Sequence, residues 1–183
     1  MKKNNLFGKT ILICFLLLLS CNSSKQVSYF SVSLSPHFQE YNIQRVFFVP
    51  LEHDKNLFSS VLQDALAKNK AWEVFSAPLP FSYPLSFWNI PASTLSYIDK
   101  EYHAQAIALG QISHFSLAPM RISLKWFLVS AYDGKILYSI EGTWEDKSMY
   151  SLDHQDIPQH MASLSVEKFF SEVCSRIIEK LLL

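Results

Sequence analysis

The sequence predicts an α/β (α+β) chain: a single mixed, twisted sheet of four or five strands, with two or three helices packed mainly on one face. Three observations predict it. Apolar β-rich runs alternate with stretches of helical period between residues 45 and 112, a long hairpin occupies 119–146, and the chain closes in an amphipathic helix.

The run Arg45-Val-Phe-Phe-Val-Pro-Leu51 is apolar on alternate and intervening positions alike, which predicts a strand buried on both faces. Asp54 or Asn56 then caps a segment in which Leu57, Phe58, Val61, Leu62, Ala65 and Leu66 recur at helical spacing. Trp72 to Ser76 reads as a second strand. Pro78, Pro80, Pro84 and Pro91 interrupt the next segment and make it irregular. A helix from about Ala92 to His103 leads into Ala106-Ile-Ala-Leu-Gly-Gln-Ile112, whose small residues predict a central strand closely overlaid by a helix.

The stretch from Pro119 to Asp146 admits two hairpin registers. A two-residue Asp133-Gly134 turn sets Trp126 opposite Glu141 and Ile122 opposite Glu145, mixing apolar and charged residues on both faces. A three-residue loop, Tyr132-Asp133-Gly134 with Gly134 left-handed, pairs positions that sum to 266. Ile122, Leu124, Trp126 and Leu128 then face Trp144, Gly142, Ile140 and Tyr138. Lys125 with Glu141, Arg121 with Glu145 and Ser123 with Thr143 occupy the other face. A one-residue slip turns every side chain over, so the second register is the expectation. It leaves Phe127, Val129 and Leu137 as an apolar cluster on the wet face that needs a cover. The closing helix carries Val166, Phe169, Phe170, Val173, Cys174, Ile177, Ile178 and Leu181 as its stripe.

The first residues have a different character. Lys2, Lys3 and Lys9 precede an apolar run from Thr10 to Leu19, about half the length of a membrane-spanning helix, and then Leu18-Leu19-Ser20-Cys21. This resembles the bacterial lipobox. The resemblance implies that residues 1–20 are a cleaved export signal and that Cys21 becomes the acylated first residue, anchored in a bilayer by two or three chains. Asn22 in place of Asp after that cysteine resembles the sorting pattern of outer-membrane lipoproteins, so the periplasmic face of the outer membrane is the expected site. Residues 21–42, polar and Ser-rich, read as the lipidated Cys and a tether with one short strand around Val27 to Leu34, and 43–183 as a single globular domain.

Removal of three lysines leaves 13 basic against 16 acidic side chains, a balance that excludes a nucleic-acid partner. Of the 3 cysteines, Cys14 leaves with the signal and Cys21 carries lipid, so no intramolecular disulfide is available to Cys174, which reads as a buried structural thiol. With 49% apolar residues the domain must rely on its core.

Four segments together resemble the α/β module of a group of envelope lipoproteins and secretion proteins: the curli-secretion lipoprotein CsgG, the penicillin-binding-protein activator LpoB and the N-terminal domain of TolB. They are Val46 to Leu51 with its helix, Trp72 to Ser76, Ala104 to Ile112 ending in a Leu-Gly pair, and Arg121 to Ile140 with Asp-Gly-Lys-Ile-Leu at its turn. A looser resemblance, to the lipopolysaccharide-assembly lipoprotein LptE, rests on the lipidated start and the sheet-plus-helices plan. The first implies a non-enzymatic binding or assembly module with an envelope protein partner, and an oligomer is possible. The second implies a lipid-handling protein with an apolar pocket.

No Gly-x-Ser-x-Gly elbow, Walker loop or His-Glu-x-x-His motif is present, and 4 glycines leave little room for phosphate cradles. The sequence therefore predicts no enzyme, no cofactor and no metal. Glu52-His53-Asp54 is the densest polar cluster, and a helix-capping Asp with solvated neighbours explains it. Asp153, His154, Asp156 and His160 match no standard ligand spacing. Phe81, Tyr83, Phe87 and Trp88 are the candidate partner-binding residues: four rings in a proline-broken segment form either an exposed patch or a cover folded over the sheet.

Overall fold

The computed structural model describes residues 27–55, 57–69, 72–86, 88–117, 119–146 and 159–181, and of residues 27, 28, 69 and 159–165 the backbone alone. Six strands form one mixed sheet: β1 (Val27–Leu34), β2 (Arg45–Phe48), β3 (Glu73–Phe75), β4 (Ala106–Leu117), β5 (Met120–Ser130) and β6 (Ile136–Asp146). Their order across the sheet is β1-β6-β5-β4-β2-β3. The helices among the described residues are α1 (Phe58–Asn69), α2 (Ala92–Tyr102) and α3 (Gln159–Leu181), and a 3-10 turn covers Phe38–Tyr41. β2 runs parallel to both β3 and β4, as strands joined through helices must, while β4, β5, β6 and β1 pair antiparallel.

The central prediction, the hairpin register, is met. Trp126 lies opposite Ile140, Ile122 opposite Trp144 and Lys125 opposite Glu141. The turn differs from the expectation. Ser130 N–H donates to the Lys135 carbonyl at 2.9 Å, so the loop is the four residues Ala131 to Gly134, with Gly134 left-handed at φ 71°. The extra residue is accommodated one step into β6, where the register shifts between Leu128 and Val129. That bulge carries Leu137 to the same face as Tyr138, and both are fully buried there.

Two further expectations need correction. The sheet has six strands and not four or five, because β1, expected only as a short strand within the tether, joins β6 as a whole edge strand. The helices also occupy both faces. α1 and α3 cover the face bearing Val46, Phe48, Ala106, Ala108, Trp126, Tyr138, Ile140 and Trp144. α2 covers the opposite face over Phe47, Ile107, Leu109 and Val129. The reason lies in β2 and β4, which are apolar at successive positions and so cannot leave one side to water.

α3 closes the larger core. Phe169, Phe170, Val173, Cys174, Ile177, Ile178 and Leu181 are all buried, as their spacing predicts, and each full burial contributes roughly 1.5–3 kcal/mol. Phe170 packs edge-on against Phe58 of α1 with ring centroids 5.0 Å apart. Burial pushes the Tyr138 hydroxyl up to about 12, and that hydroxyl donates to the Ile177 carbonyl at 3.4 Å.

β1 is held to the sheet through Phe30, which faces Gly142 and stacks on Trp144 at 6.1 Å. A Cβ at position 142 would lie 2.6 Å from that of Phe30 and 2.9 Å from the Tyr29 carbonyl oxygen. Gly142→Val is therefore expected to push β1 off the sheet and to cost about 1–3 kcal/mol, read as a lower urea midpoint; an unchanged midpoint would show that β1 contributes nothing to the fold.

Candidate interaction surfaces

Cys21 and Phe87 lie outside the described residues, as do Asp153, His154, Asp156 and the side chain of His160. The remaining aromatic candidates divide. Tyr83 stacks on Tyr97 of α2 at 4.1 Å and is half-buried, whereas Phe81 and Trp88 stand out, the latter 72% exposed. Leu79, Leu85 and Ile90 of the same segment pack into the second core beside Leu95 and Ile98 of α2. Two hydrogen bonds fix its course: Thr94 Oγ1 donates to the Pro84 carbonyl at 2.9 Å and Tyr102 hydroxyl to that of Pro78 at 3.2 Å. Both readings of the segment are thus realised in part, with most of it a cover and two rings left at the surface.

That cover answers a second question. Phe127 and Val129, the apolar tip on the hairpin's wet face, belong to this same second core. The apolar hairpin tip and the proline-broken segment thus pack against one cluster.

The polar clusters are engaged in building the fold. Asp54 caps α1, its carboxylate accepting from Phe58 N–H at 3.2 Å and Ser59 N–H at 2.6 Å, while His53 sits exposed in the preceding turn at φ 64°. Glu52 joins the sheet through its backbone, which donates to Gly110 and accepts from Ile112. Burial pushes the Cys174 thiol up, which keeps it protonated and inert. Among the described residues no group of three His, Cys, Asp or Glu side chains converges on a metal position, and no helix is long and apolar enough to cross a membrane.

Among the described residues, two open surfaces belong to the β1 side of the sheet. The first is the uncovered side of β1, β6 and β5, a shallow groove of about 720 Å³ lined by Tyr29, Ser31, Ser113, Ser123, Glu141 and Thr143. Its floor is tied down by Ser123 with Thr143 at 2.7 Å and Lys125 with Glu141 at 2.8 Å. The second is β1 itself, where Tyr29, Phe30, Val32 and Leu34 are exposed at the sheet edge. Sequence reasoning expected a short strand here, on the apolar residue at every second position from Phe30 to Leu34, but read it as part of a tether and not as an edge of the main sheet.

No protein-family model matches the chain, and no curated protein is similar to it in sequence. Its likeness is to solved structures. The PelC dodecamer from Paraburkholderia phytofirmans is 12% identical over 81% of this chain and 96% of that one, with a TM-score of 0.51. The lipoprotein GNA1162 from Neisseria meningitidis is 14% identical over 70% and 95%, with a TM-score of 0.44. The hypothetical protein CT253 from Chlamydia trachomatis is 12% identical over 73% and 95%, with a TM-score of 0.47. The PelC match establishes a shared α/β fold. None of these matches confirms the resemblance to CsgG, LpoB and TolB, which rests on the segment pattern of the sequence.

At the hairpin turn Asp133 accepts from the Tyr41 hydroxyl at 3.0 Å and from Lys135 Nζ at 2.9 Å. Burial opposes ionisation there, but the hydrogen bonds from Lys135, Ser130 and Tyr41 outweigh it and hold the carboxyl well below the usual carboxylate range. A lowered folded-state pKa stabilises at every pH above the unfolded value of about 3.9 and is lost as pH falls through the folded value. Asp133→Asn is expected to melt at a lower temperature at pH 7, with the gap to the parent closing below about pH 4. A gap that is constant from pH 7 to 2 would assign the loss to shape and not to charge.

Proposed function

We propose that this protein is a non-enzymatic binding and assembly module of the bacterial cell envelope, anchored through acylated Cys21 in the outer membrane with its domain in the periplasm. The observation that carries the reading is Leu18-Leu19-Ser20-Cys21 behind a basic and apolar leader, six residues ahead of the first strand of a disulfide-free domain. The shared fold supports it, since PelC, a protein of the same architecture, is a dodecamer. The engagement of Glu52, Asp54 and Glu141 in capping, strand pairing and ion pairing supports it too, because it leaves surfaces, and not a reacting centre, as the features to be explained. Phe81 and Trp88 offer one contact for an envelope protein and the β1 edge another.

Expression in a bacterial host with labelled palmitate checks the anchor. The parent chain is expected to incorporate label and fractionate with outer membranes, and Cys21→Ser to be unlabelled and released into the periplasmic extract. An unlabelled parent, or a Cys21→Ser chain still held to membranes, would sink the reading. The contact is checked by crosslinking in cells, where alanine at Phe81, Phe87 and Trp88 is expected to reduce capture of an envelope protein severalfold.

A further inference from the structure

We propose that β1 is a self-association edge, on which two copies of this chain pair antiparallel about a two-fold axis at Ser31 to make one continuous twelve-stranded sheet. The two ends of the sheet are protected very differently. β3, at one end, is three residues long and carries Glu73, which is paired with Arg45 at 2.8 Å; short, charged edge strands resist pairing with other chains. β1, at the other end, is eight residues long, Val-Ser-Tyr-Phe-Ser-Val-Ser-Leu, with no charge, no proline and no glycine. β1 itself carries none of the residues that blunt an edge, and its outer side has no backbone partner among the described residues.

The pairing of β1 with β6 fixes what that side offers. Ser35 N–H donates to the Leu137 carbonyl of β6, and the Tyr29 carbonyl faces Gly142. By the alternation of antiparallel ladders, the odd residues of β1 bond inward, and the amides of Ser28, Phe30, Val32 and Leu34 point outward. A second β1 can satisfy all four only where outward residues meet outward residues. Positions must therefore sum to 62: Ser28 with Leu34 and Phe30 with Val32 of the second copy, twice over. A one-residue slip sets outward groups against inward ones, and a two-residue slip leaves an end unpaired.

The side chains agree with this register. Phe30 and Val32 meet on the face that carries α3, where both are exposed in the single chain. Tyr29, Ser33 and two Ser31 residues meet on the polar face, and the nearest carboxylate there, Glu141, is held by Lys125. The proposed anchoring adds concentration and orientation. Six residues from Cys21 reach about 20 Å, and copies related by an axis along the membrane normal place both tethers on one bilayer.

The full-length chain in bacterial membranes tests the register. The cross-strand neighbour of Ser31 is Ser31 itself, within disulfide reach, whereas two Ser33 residues are about 13 Å apart. Under mild oxidation Ser31→Cys is expected to give at least tenfold more disulfide dimer than Ser33→Cys, with the parent chain, whose Cys174 is buried, as background. Equal yields would overturn the proposal. Val32→Pro removes an outward N–H that no strand of the single chain uses, so it should retain the parent's circular dichroism and melting while turning a dimer into a monomer by light scattering in mild detergent. A parent that is monomeric at all concentrations, a Val32→Pro chain as dimeric as the parent, or a β1 occupied by a different envelope protein overturns it as well. Cys21→Ser is expected to dimerise in the same register, so a failed anchor and a failed edge give different results.

Discussion

The pairing of β5 with β6 decides which side of this sheet meets water, and most of the structure depends on it. With Trp126 opposite Ile140 and Ile122 opposite Trp144, one face becomes a continuous apolar floor for α1 and α3. The same register brings Lys125 to Glu141 and Arg121 to Glu145 on the other face, where Arg121 Nε reaches Glu145 at 3.1 Å. These ion pairs add little by themselves. Their larger effect is against the alternative, because a one-residue slip would bury charges beneath α3 without partners, a far greater cost. With no disulfide available to the domain, that sorting stands in for covalent bracing.

Where the chain is periodic, its structure was legible. β2, α1, α2, the body of the hairpin and the α3 stripe all follow from spacing, because each has to present one face to a core made by the others. Three features were not legible, each for a physical reason. The position of a bulge is set by tertiary demand: Leu137 turns inward because the large core has room for it beside Tyr138, and nothing in the order of residues near the turn encodes that room. The placing of α2 on the opposite face was hidden because the proline-broken segment beside it has no period, and it is the doubly apolar β2 and β4 that require a cover there. β1 was half hidden because an edge strand is half exposed, and serine at every second position satisfies solvent in a tether as well as in a strand.

The candidate site was legible to a smaller extent. The segment bearing Phe81, Tyr83 and Trp88 stood out by composition, and the structure shows why composition could not settle its role. Leu79 and Leu85 pack into the core that holds Phe127 and Val129 and Tyr83 stacks on Tyr97, while Phe81 and Trp88 of the same segment are exposed. Burial is a property of what a residue is folded against, and a single sequence supplies the pieces without their pairing.

The two ends of the sheet show how a fold of this kind separates stability from recognition. β3 ends the sheet under a short charged strand, and the second core lies close to it, so that end is closed. β1 contributes to stability through its inner side, where Phe30 fills the space that Gly142 leaves and stacks on Trp144. Its outer side has no backbone partner among the described residues, and an uncharged eight-residue edge is hazardous if left open, because it pairs with any extended segment that meets it. Charge at Ser31 or Ser33 would remove that hazard without disturbing the inner ladder, since both side chains lie on the polar face. That these positions are serine and not lysine is what an edge requires when it is to be covered by another strand: small, uncharged side chains let a second backbone approach, and the outward amides then supply affinity and register together.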